Sequence, residues 1–190
     1  IKACRRIDLV EIQVSSTGLQ GDREWQVVTD QGESVTQSRH RVLATVQPEP
    51  LAGALRISAP NHGEIEVASC SDDYADSGPD AGEEAASFFS ELLGVPSRLM
   101  SILGRAGVGA PPATSRRASL VGLAPVLVTN AASLRDLRRR TSKPFGMARF
   151  RPNLVLETED PWAEDTWIEF SIGAAQLVGT IPWPRCSVAQ

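Results

Sequence analysis

Cysteine and histidine are scarce in this sequence, and the places where they occur exclude several kinds of site. The three cysteines, Cys4, Cys70 and Cys186, show no Cys-x-x-Cys spacing, which argues against a disulfide framework, a zinc ribbon and an iron–sulfur cluster within the chain. The two histidines, His40 and His62, lie apart, so a histidine-rich metal site is not expected. Dispersed thiols of odd number are typical of a reducing compartment, and the predicted location is cytoplasmic.

Long apolar runs and several catalytic motifs are also missing. No stretch of about 18 apolar residues occurs, so neither a transmembrane helix nor a membrane partner is expected, and no signal-peptide pattern opens the sequence. There is no Gly-x-Ser-x-Gly nucleophile elbow and no phosphate-binding P-loop. Apolar residues make up 42% and charged residues 22% of the 190 residues, as is ordinary for a globular protein of one large or two small domains.

Positive charge is concentrated in one part of the chain. The net charge is −4, yet the stretch from Arg98 to Arg151 carries eleven Lys or Arg residues and a single acid, Asp136. Such a block either forms a solvated face or makes a basic rim that attracts an anionic ligand or partner. Only Phe145 and Phe150 interleave it with aromatic rings, so nucleic acid is not an expected partner.

Short alternating segments predict a β-rich protein with few helices. Strands are predicted at residues 25–29, 42–46, 55–59 and 64–67, a spacing typical of a sandwich or barrel, whereas Pro48 to Gly53 is predicted to break the pattern. A helix is predicted from Ala81 to Leu93, where apolar residues share one stripe. A second, basic helix is predicted from Leu134 to Arg140, with Ser133 as its N-cap.

The last forty residues combine short strands with cations and one thiol. Arg149-Phe150-Arg151-Pro152-Asn153 precedes strand-like runs at 154–156, 167–172 and 174–181, and Arg185-Cys186 follows them. A sheet built from these runs would bring Arg151, Asn153 and Cys186 to one end of a barrel. Fixed cations beside a thiol suit a bound anion that also carries a soft metal.

These residues resemble the MOSC domain, the C-terminal domain of molybdenum-cofactor sulfurases. They are closest to the branch that contains the mitochondrial amidoxime-reducing components and their bacterial relatives. The matching residues are the Arg-Phe-Arg-Pro-Asn run, Ala163-Glu164-Asp165-x-Trp167, Ile172-Gly173 and Arg185-Cys186. Two N-terminal motifs also match, Ile1-Lys2-Ala3-Cys4 and Gly18-Leu19-x-Gly21-Asp22-Arg23-x-Trp25.

The resemblance implies a fold class and a domain organisation. The expected protein is a β-rich α+β chain with short helices, in which residues 1–95 form a MOSC N-terminal β-barrel-like domain. Residues 96–190 are expected to form a MOSC β-barrel domain. Members of the family carry more barrel after the position of Gln190, so this second domain is expected to be incomplete at its C-terminus.

The resemblance also implies a site for a molybdenum–molybdopterin cofactor. In similar proteins the cysteine of the Arg-Cys pair ligates the molybdenum, so Cys186 is the expected metal ligand and catalytic residue. Arg185 would favour its thiolate form. Other expected cofactor-binding residues are Lys2, Arg23, Arg151 and Asn153. From the residues alone, structural roles stay open: Arg23 could pair only with a neighbouring acid, and Asn153 could only close a turn.

The implied function is the reduction of N-hydroxylated compounds, such as amidoximes or hydroxylaminopurines, by a molybdenum-cofactor-dependent oxidoreductase. Because the chain has no iron–sulfur or flavin motif, electrons are expected from a ferredoxin-like or flavin-dependent partner, either separate or encoded after Gln190. The alternative is a non-catalytic module that binds or carries the cofactor or sulfur. The sequence departs from the family pattern at Ala3, Leu123 and Pro184, so the manner of pterin binding stays open.

Overall fold

The computed structural model describes residues 1–15, 18–68, 80–101, 125–142 and 144–183. Within these ranges the chain is β-rich with two α-helices, which confirms the predicted fold class, although its strands form sheets of two or three and no closed barrel. The strands are β1 (Val14–Ser15), β2 (Gly18–Leu19), β3 (Trp25–Thr29), β4 (Gln47–Leu51), β5 (Ala54–Ala59), β6 (Gly63–Ala68), β7 (Ser97–Ser101), β8 (Val128–Asn130), β9 (Leu154–Leu156), β10 (Glu169–Ile172) and β11 (Ala175–Val178). The helices are α1 (Glu83–Leu93) and α2 (Ala131–Arg139).

The chain divides into two compact units, each of which is made of two separate segments of the sequence. The first unit contains Ile1–Val10 and Gly21–Pro112, and the second contains Glu11–Gln20 and Ala113–Gln190. The second unit therefore takes up a short N-terminal segment. The predicted division between residues 95 and 96 stays a prediction.

In the first unit a well-packed core lies between two sheets and α1. Strands β3 and β7 pair antiparallel, and β4, β5 and β6 form an antiparallel sheet with β5 in the middle. Side chains from both sheets and from α1 are almost completely buried in one cluster that includes Val27, Leu43, Ile57, Phe89 and Leu99. Burial of this apolar surface is the main stabilising contribution in the unit.

Helix α1 forms close to where the sequence predicts it. Ala85, Phe88 and Phe89 follow the spacing of one helical face and are buried, and two glutamates in the first turn favour the positive end of the helix dipole. The helix ends at Gly94, which adopts the left-handed conformation with φ 69°. The predicted helix is confirmed, with its start two residues later.

Two sequence expectations for the first unit are wrong. Residues 42–46, predicted as a strand, belong mostly to a 3₁₀ helix at Arg41–Thr45. The predicted break at Pro48 to Gly53 is instead mostly the strand β4, which contains Pro48 and Pro50. Because β4 is the edge of its sheet, prolines without N–H donors are tolerated there.

The second unit is built around a parallel strand pair. Strand β8 pairs with β9 in parallel, from Val128 opposite Leu154, and α2 begins directly after β8. Strands β10 and β11 form a hairpin whose two-residue loop starts at Gly173, with φ 57°. The β1–β2 hairpin also belongs to this unit: a Cβ added to Gly18 would lie only 3.1 Å from Cβ of Pro125.

Candidate functional site

The N-terminal residues are anchored to the start of β3. The backbone N–H of Lys2 donates to the carbonyl of Trp25 at 2.8 Å, and the Lys2 side chain is exposed. The next residue, Ala3, has φ 71°, a left-handed conformation that costs about 1–2 kcal/mol for a residue with a Cβ. The amide of Gln37 donates to the carbonyl of Ala3 at 3.0 Å and helps to hold it.

Arg23 lies in a tight turn just before β3. Gly21 and Arg23 have φ of 79° and 57°, and the Gly21 N–H donates across the turn to Oε1 of Glu24 at 2.7 Å. The Arg23 guanidinium is 3.2 Å from a carboxylate oxygen of Asp22, and 39% of the Arg23 side chain is exposed. The turn therefore brings Lys2 and Arg23 to the same end of β3 in the first unit.

Arg151 lies at the end of a short 3₁₀ helix in the second unit. The helix is Met147–Phe150, and the Arg151 N–H donates to the carbonyl of Ala148 at 3.1 Å. Arg151 has φ 51° and ψ 50°. The helix therefore ends in a left-handed arginine, which Pro152 and Asn153 separate from the start of β9.

Asn153 is held against the residue that precedes β8. Its side-chain Oδ1 accepts the backbone N–H of Leu127 at 2.9 Å, and its own N–H donates to the Leu127 carbonyl at 2.9 Å. The Leu127 carbonyl also accepts from the N–H of Leu154 at 3.1 Å. Asn153 thus has a structural contact at the entry to the β8–β9 pair.

Backbone strain occurs at two of the predicted cofactor-binding residues. Among the non-glycine residues of the described ranges, positive φ angles occur at Ala3, Arg23, Asn61, Arg151 and Trp162. Two of these are predicted cofactor-binding residues and a third follows Lys2 directly. Left-handed residues other than glycine persist only where neighbouring contacts hold them, and they concentrate at functional sites.

Other predicted positions, Arg185, Cys186, Leu123 and Pro184, lie outside the described residues. The part of the chain that is described contains no group of three or more His, Cys, Asp or Glu residues placed to hold a metal ion. It also contains no helix of the length and apolar character needed to cross a membrane. Of the cations predicted to bind the cofactor, the structure describes Lys2 and Arg23 in the first unit and Arg151 in the second.

Helix α2 begins differently from the sequence expectation. Asn130 is the N-cap, because its Oδ1 accepts the N–H of Ala132 at 2.9 Å, so the prediction of Ser133 as N-cap is wrong. Ser133 lies inside the first turn, where its hydroxyl donates to Glu164 at 2.8 Å and accepts the N–H of Trp162 at 2.7 Å. These contacts join α2 to the acidic loop between β9 and β10.

Acids of this loop and of α2 itself neutralise part of the basic helix. Arg135 pairs with Glu157, and Arg140 pairs with Asp136 at 2.6 Å. The indole N–H of Trp162 donates to Asp136 at 2.8 Å, and this hydrogen bond, followed by Arg140, lowers the pKa of Asp136. Sequence analysis missed the contacts with Glu157 and Trp162 because these residues are more than twenty positions away from their partners on the helix.

Two other cations of α2 are not paired in this way. Among the residues that the structure describes, Arg138 and Arg139 form no ion pair with a carboxylate. Arg138 instead donates to the carbonyl of Phe145 at 2.6 Å. Arg138 also lines a shallow recess of about 460 Å³ at the C-terminal end of α2. Of the predicted cofactor-binding residues that the structure describes, none lines this recess.

Comparison with known families identifies the class of protein. Residues 1–96 match the MOSC N-terminal beta barrel domain, and residues 115–190 match the MOSC domain. The chain therefore belongs to the MOSC family, in agreement with the motifs around Arg23 and Arg151.

Its relatives include proteins of two kinds. A molybdenum cofactor sulfurase of Drosophila mojavensis is 29% identical over 92% of this chain and 24% of that protein. The mitochondrial amidoxime reducing component 2 of Homo sapiens is 28% identical over 98% of this chain and 62% of that protein. The chain thus spans about a quarter of the sulfurase and less than two thirds of the amidoxime reducing component. A match to a solution structure from Bordetella bronchiseptica is 24% identical, covers 46% of this chain and 83% of the other, and has a TM-score of 0.36.

Proposed function

We propose that this protein is a molybdenum-cofactor-dependent oxidoreductase that reduces N-hydroxylated compounds such as amidoximes. The observation that carries the proposal is the left-handed turn at Arg151 in a chain of the MOSC family. An arginine whose backbone is held in a strained conformation presents a fixed cation, and fixed cations suit the terminal phosphate of a pterin cofactor. Similarity to a protein named for amidoxime reduction over 98% of the chain supports the choice of substrate.

The described residues fit the phosphate end of such a cofactor. Arginine offers planar, bidentate donors that match a phosphate better than a lysine does, and both Arg23 and Arg151 are partly accessible. In this proposal Arg151 holds the phosphate, while Lys2, Arg23 and Asn153 assist and Arg185 favours the thiolate of Cys186. When bound, the cofactor supplies the redox chemistry, and the protein binds and orients it.

A second candidate function is a non-catalytic module that binds or carries the cofactor. It is favoured by the similarity to molybdenum cofactor sulfurases, which extends over 92% of the chain or more. Purified protein from a cofactor-competent host separates the two candidates. Only the reductase should oxidise a reduced dye when an amidoxime is added, whereas metal and pterin analysis should be positive for both. Absence of both molybdenum and pterin would contradict both candidates.

Replacement of Arg151 by Ala should weaken cofactor retention. A charge-assisted hydrogen bond to phosphate contributes about 1.5–3 kcal/mol, so the bound fraction should fall as expected for an affinity about 10-fold to 150-fold lower. The measurement is the pterin fluorescence that remains with the protein after gel filtration.

The matched control for this prediction is Arg56→Ala. Arg56 lies on the exposed face of β5 and pairs with Glu49 at 3.4 Å and Glu66 at 3.0 Å, so it has no proposed part in cofactor binding. Its loss should leave pterin retention unchanged. Equal retention by the Arg151→Ala and Arg56→Ala proteins would contradict the assignment of Arg151.

We also propose that Arg138 and Arg139, which form no ion pair with a carboxylate among the described residues, attract an acidic electron donor. Arg138 and Arg139 lie in the last turn of α2, and long-range attraction between exposed charges weakens as salt shortens the screening length to about 10 Å at 0.1 M. The rate of reduction by an acidic ferredoxin should fall several-fold between about 0.05 and 0.5 M salt.

Variants of α2 make this second proposal specific. The double change Arg138→Gln and Arg139→Gln should remove most of the salt dependence. Arg135→Gln should remove less of it, because Glu157 already offsets the charge of Arg135. A rate that does not depend on ionic strength, or an equal effect of both variants, would reject steering by these two arginines.

A further inference from the structure

The conformation of Arg151 is not the one that its own sequence favours. The ring of Pro152 disfavours the right-handed helical region for the residue before it, so an extended backbone is the usual outcome. Arg151 instead has φ 51° and ψ 50°. A non-glycine residue stays in this region only if the chain on both sides is fixed. On the N-terminal side, the hydrogen bond from the Arg151 N–H to the Ala148 carbonyl fixes it.

On the C-terminal side the chain is fixed at Asn153. Three hydrogen bonds converge on Leu127: the Asn153 side chain accepts its N–H, and the N–H groups of Asn153 and Leu154 donate to its carbonyl. Only the first of these depends on a side chain. It satisfies the N–H of Leu127 one residue before the parallel pairing of Val128 with Leu154 begins. The Asn153 amide oxygen is therefore committed to the backbone.

We infer that Asn153 is a positioning residue for Arg151. Its side-chain oxygen restrains the backbone next to Arg151, and the arginine in turn binds the cofactor. This inference rests on the proposed function and specifies how that site is preorganised. Loss of the oxygen would leave only the two backbone bonds to the Leu127 carbonyl at the entry to β9, and this weaker restraint would allow Arg151 to relax towards an extended backbone. The guanidinium would then have to be reordered each time a phosphate binds, which lowers affinity.

The turn at Arg23 shows the same construction independently. Arg23 is left-handed with φ 57°, and the side chain of Glu24 accepts the Gly21 N–H across the turn at 2.7 Å. In both units, therefore, a left-handed arginine is followed within two residues by a side chain that hydrogen-bonds to backbone. The same inference assigns Glu24 as the positioning residue of Arg23.

A double-mutant cycle on pterin retention tests the role of Asn153. The proteins are the unmodified chain, Asn153→Ala, Arg151→Ala and the double variant, each produced with cofactor. Asn153→Ala alone should lower the affinity for the pterin about fivefold, the size of a typical hydrogen-bond effect. In the Arg151→Ala background it should have almost no further effect, because the group that it positions is already absent.

Amide hydrogen exchange supplies a readout that does not depend on the cofactor. Exchange at the Leu127 N–H should accelerate in Asn153→Ala and stay slow in Asn153→Asp, which keeps an acceptor oxygen in place. Unchanged exchange in Asn153→Ala would overturn the inference, since the bond would then not restrain this backbone.

The outcomes of the cycle separate the inference from the proposed function. If Arg151→Ala leaves retention unchanged, the cofactor assignment of Arg151 fails, and the inference fails with it. If Arg151→Ala weakens retention but Asn153→Ala weakens it by the same factor in both backgrounds, the proposed function stands and the positioning role is rejected. An Asn153→Ala protein with normal retention also rejects it. The corresponding cycle with Arg23→Ala and Glu24→Ala tests the second turn in the same way.

Discussion

Replacement of Cys186 by Ala is expected to abolish the reduction of N-hydroxylated compounds while the pterin stays bound. A thiolate is the soft ligand that suits molybdenum, whereas the proposed phosphate contacts come from arginines elsewhere in the chain. Activity should fall on the order of 100-fold or more, since even changes to groups behind a metal ligand commonly cost about 10–100-fold. The measurements are dye oxidation with an amidoxime and pterin fluorescence on the same sample.

The control for this prediction is Cys4→Ala. Cys4 is completely buried in the core of the first unit, where a thiol acts as a small apolar group. Its removal should lower stability modestly and leave the activity per bound cofactor unchanged. Full reductase activity in the Cys186→Ala protein with cofactor bound would overturn the ligand assignment. Equal loss of activity in both variants would mean that Cys186 acts through stability.

Replacement of Gly179, the residue directly after β11, by Ala is expected to cause a large loss of stability. The Gly179 N–H donates to the carbonyl of Ile168 at 2.8 Å, which draws the two backbones together. An added Cβ would overlap the carbonyl oxygen of Trp167 and lie 3.2 Å from its carbonyl carbon. Because backbone atoms cannot rotate away, the free energy of unfolding should fall by about 3 kcal/mol, the upper end for overpacking.

Urea denaturation followed by tryptophan fluorescence measures this effect as a lower midpoint with an unchanged slope. The matched control is Gly146→Ala in the same unit. Gly146 has φ −113°, which any residue adopts, and an added Cβ would meet only the flexible end of Arg138 at 3.8 Å. Gly146→Ala should therefore change stability by less than about 1 kcal/mol. Equal midpoints for the two variants would contradict the close approach at Gly179.

The elements that were predicted correctly are those in which the apolar residues of the local sequence pattern are also the buried ones in the structure. Strand β3 has strongly β-forming residues and lies in the core, and α1 has an apolar stripe that ends at Gly94. The errors occur where tertiary contacts override local preference. Residues 42–46 alternate like a strand, yet they form a 3₁₀ turn that buries Leu43 and Val46. Pro48 and Pro50 indicate a break, yet the edge position of β4 accommodates them.

For the candidate site, the sequence motifs indicated which residues to consider, but not their backbone conformations or their hydrogen-bond partners. The motifs around Arg23 and Arg151 led to the arginines, but no local pattern predicts a left-handed backbone at either position. The expected cofactor contact of Asn153 stays a prediction, whereas no sequence pattern indicated that its side-chain oxygen accepts the N–H of Leu127, 26 residues earlier. Partners so distant in sequence cannot be inferred from spacing, because the register of a parallel pair decides where they meet.

The division of the chain has a consequence for the order in which the protein can fold during synthesis. The β1–β2 hairpin leaves the ribosome before residues 21–112, but the unit to which it belongs also needs residues after position 112. The hairpin can therefore dock only after nearly all of the first unit has been synthesised. Its docking closes a loop of about one hundred residues, and the entropic cost of closure grows with loop length. Pulse-labelled hydrogen exchange during refolding should show protection at Val27 and Leu99 before protection at Leu19. Simultaneous protection would mean that the two units fold as one cooperative block.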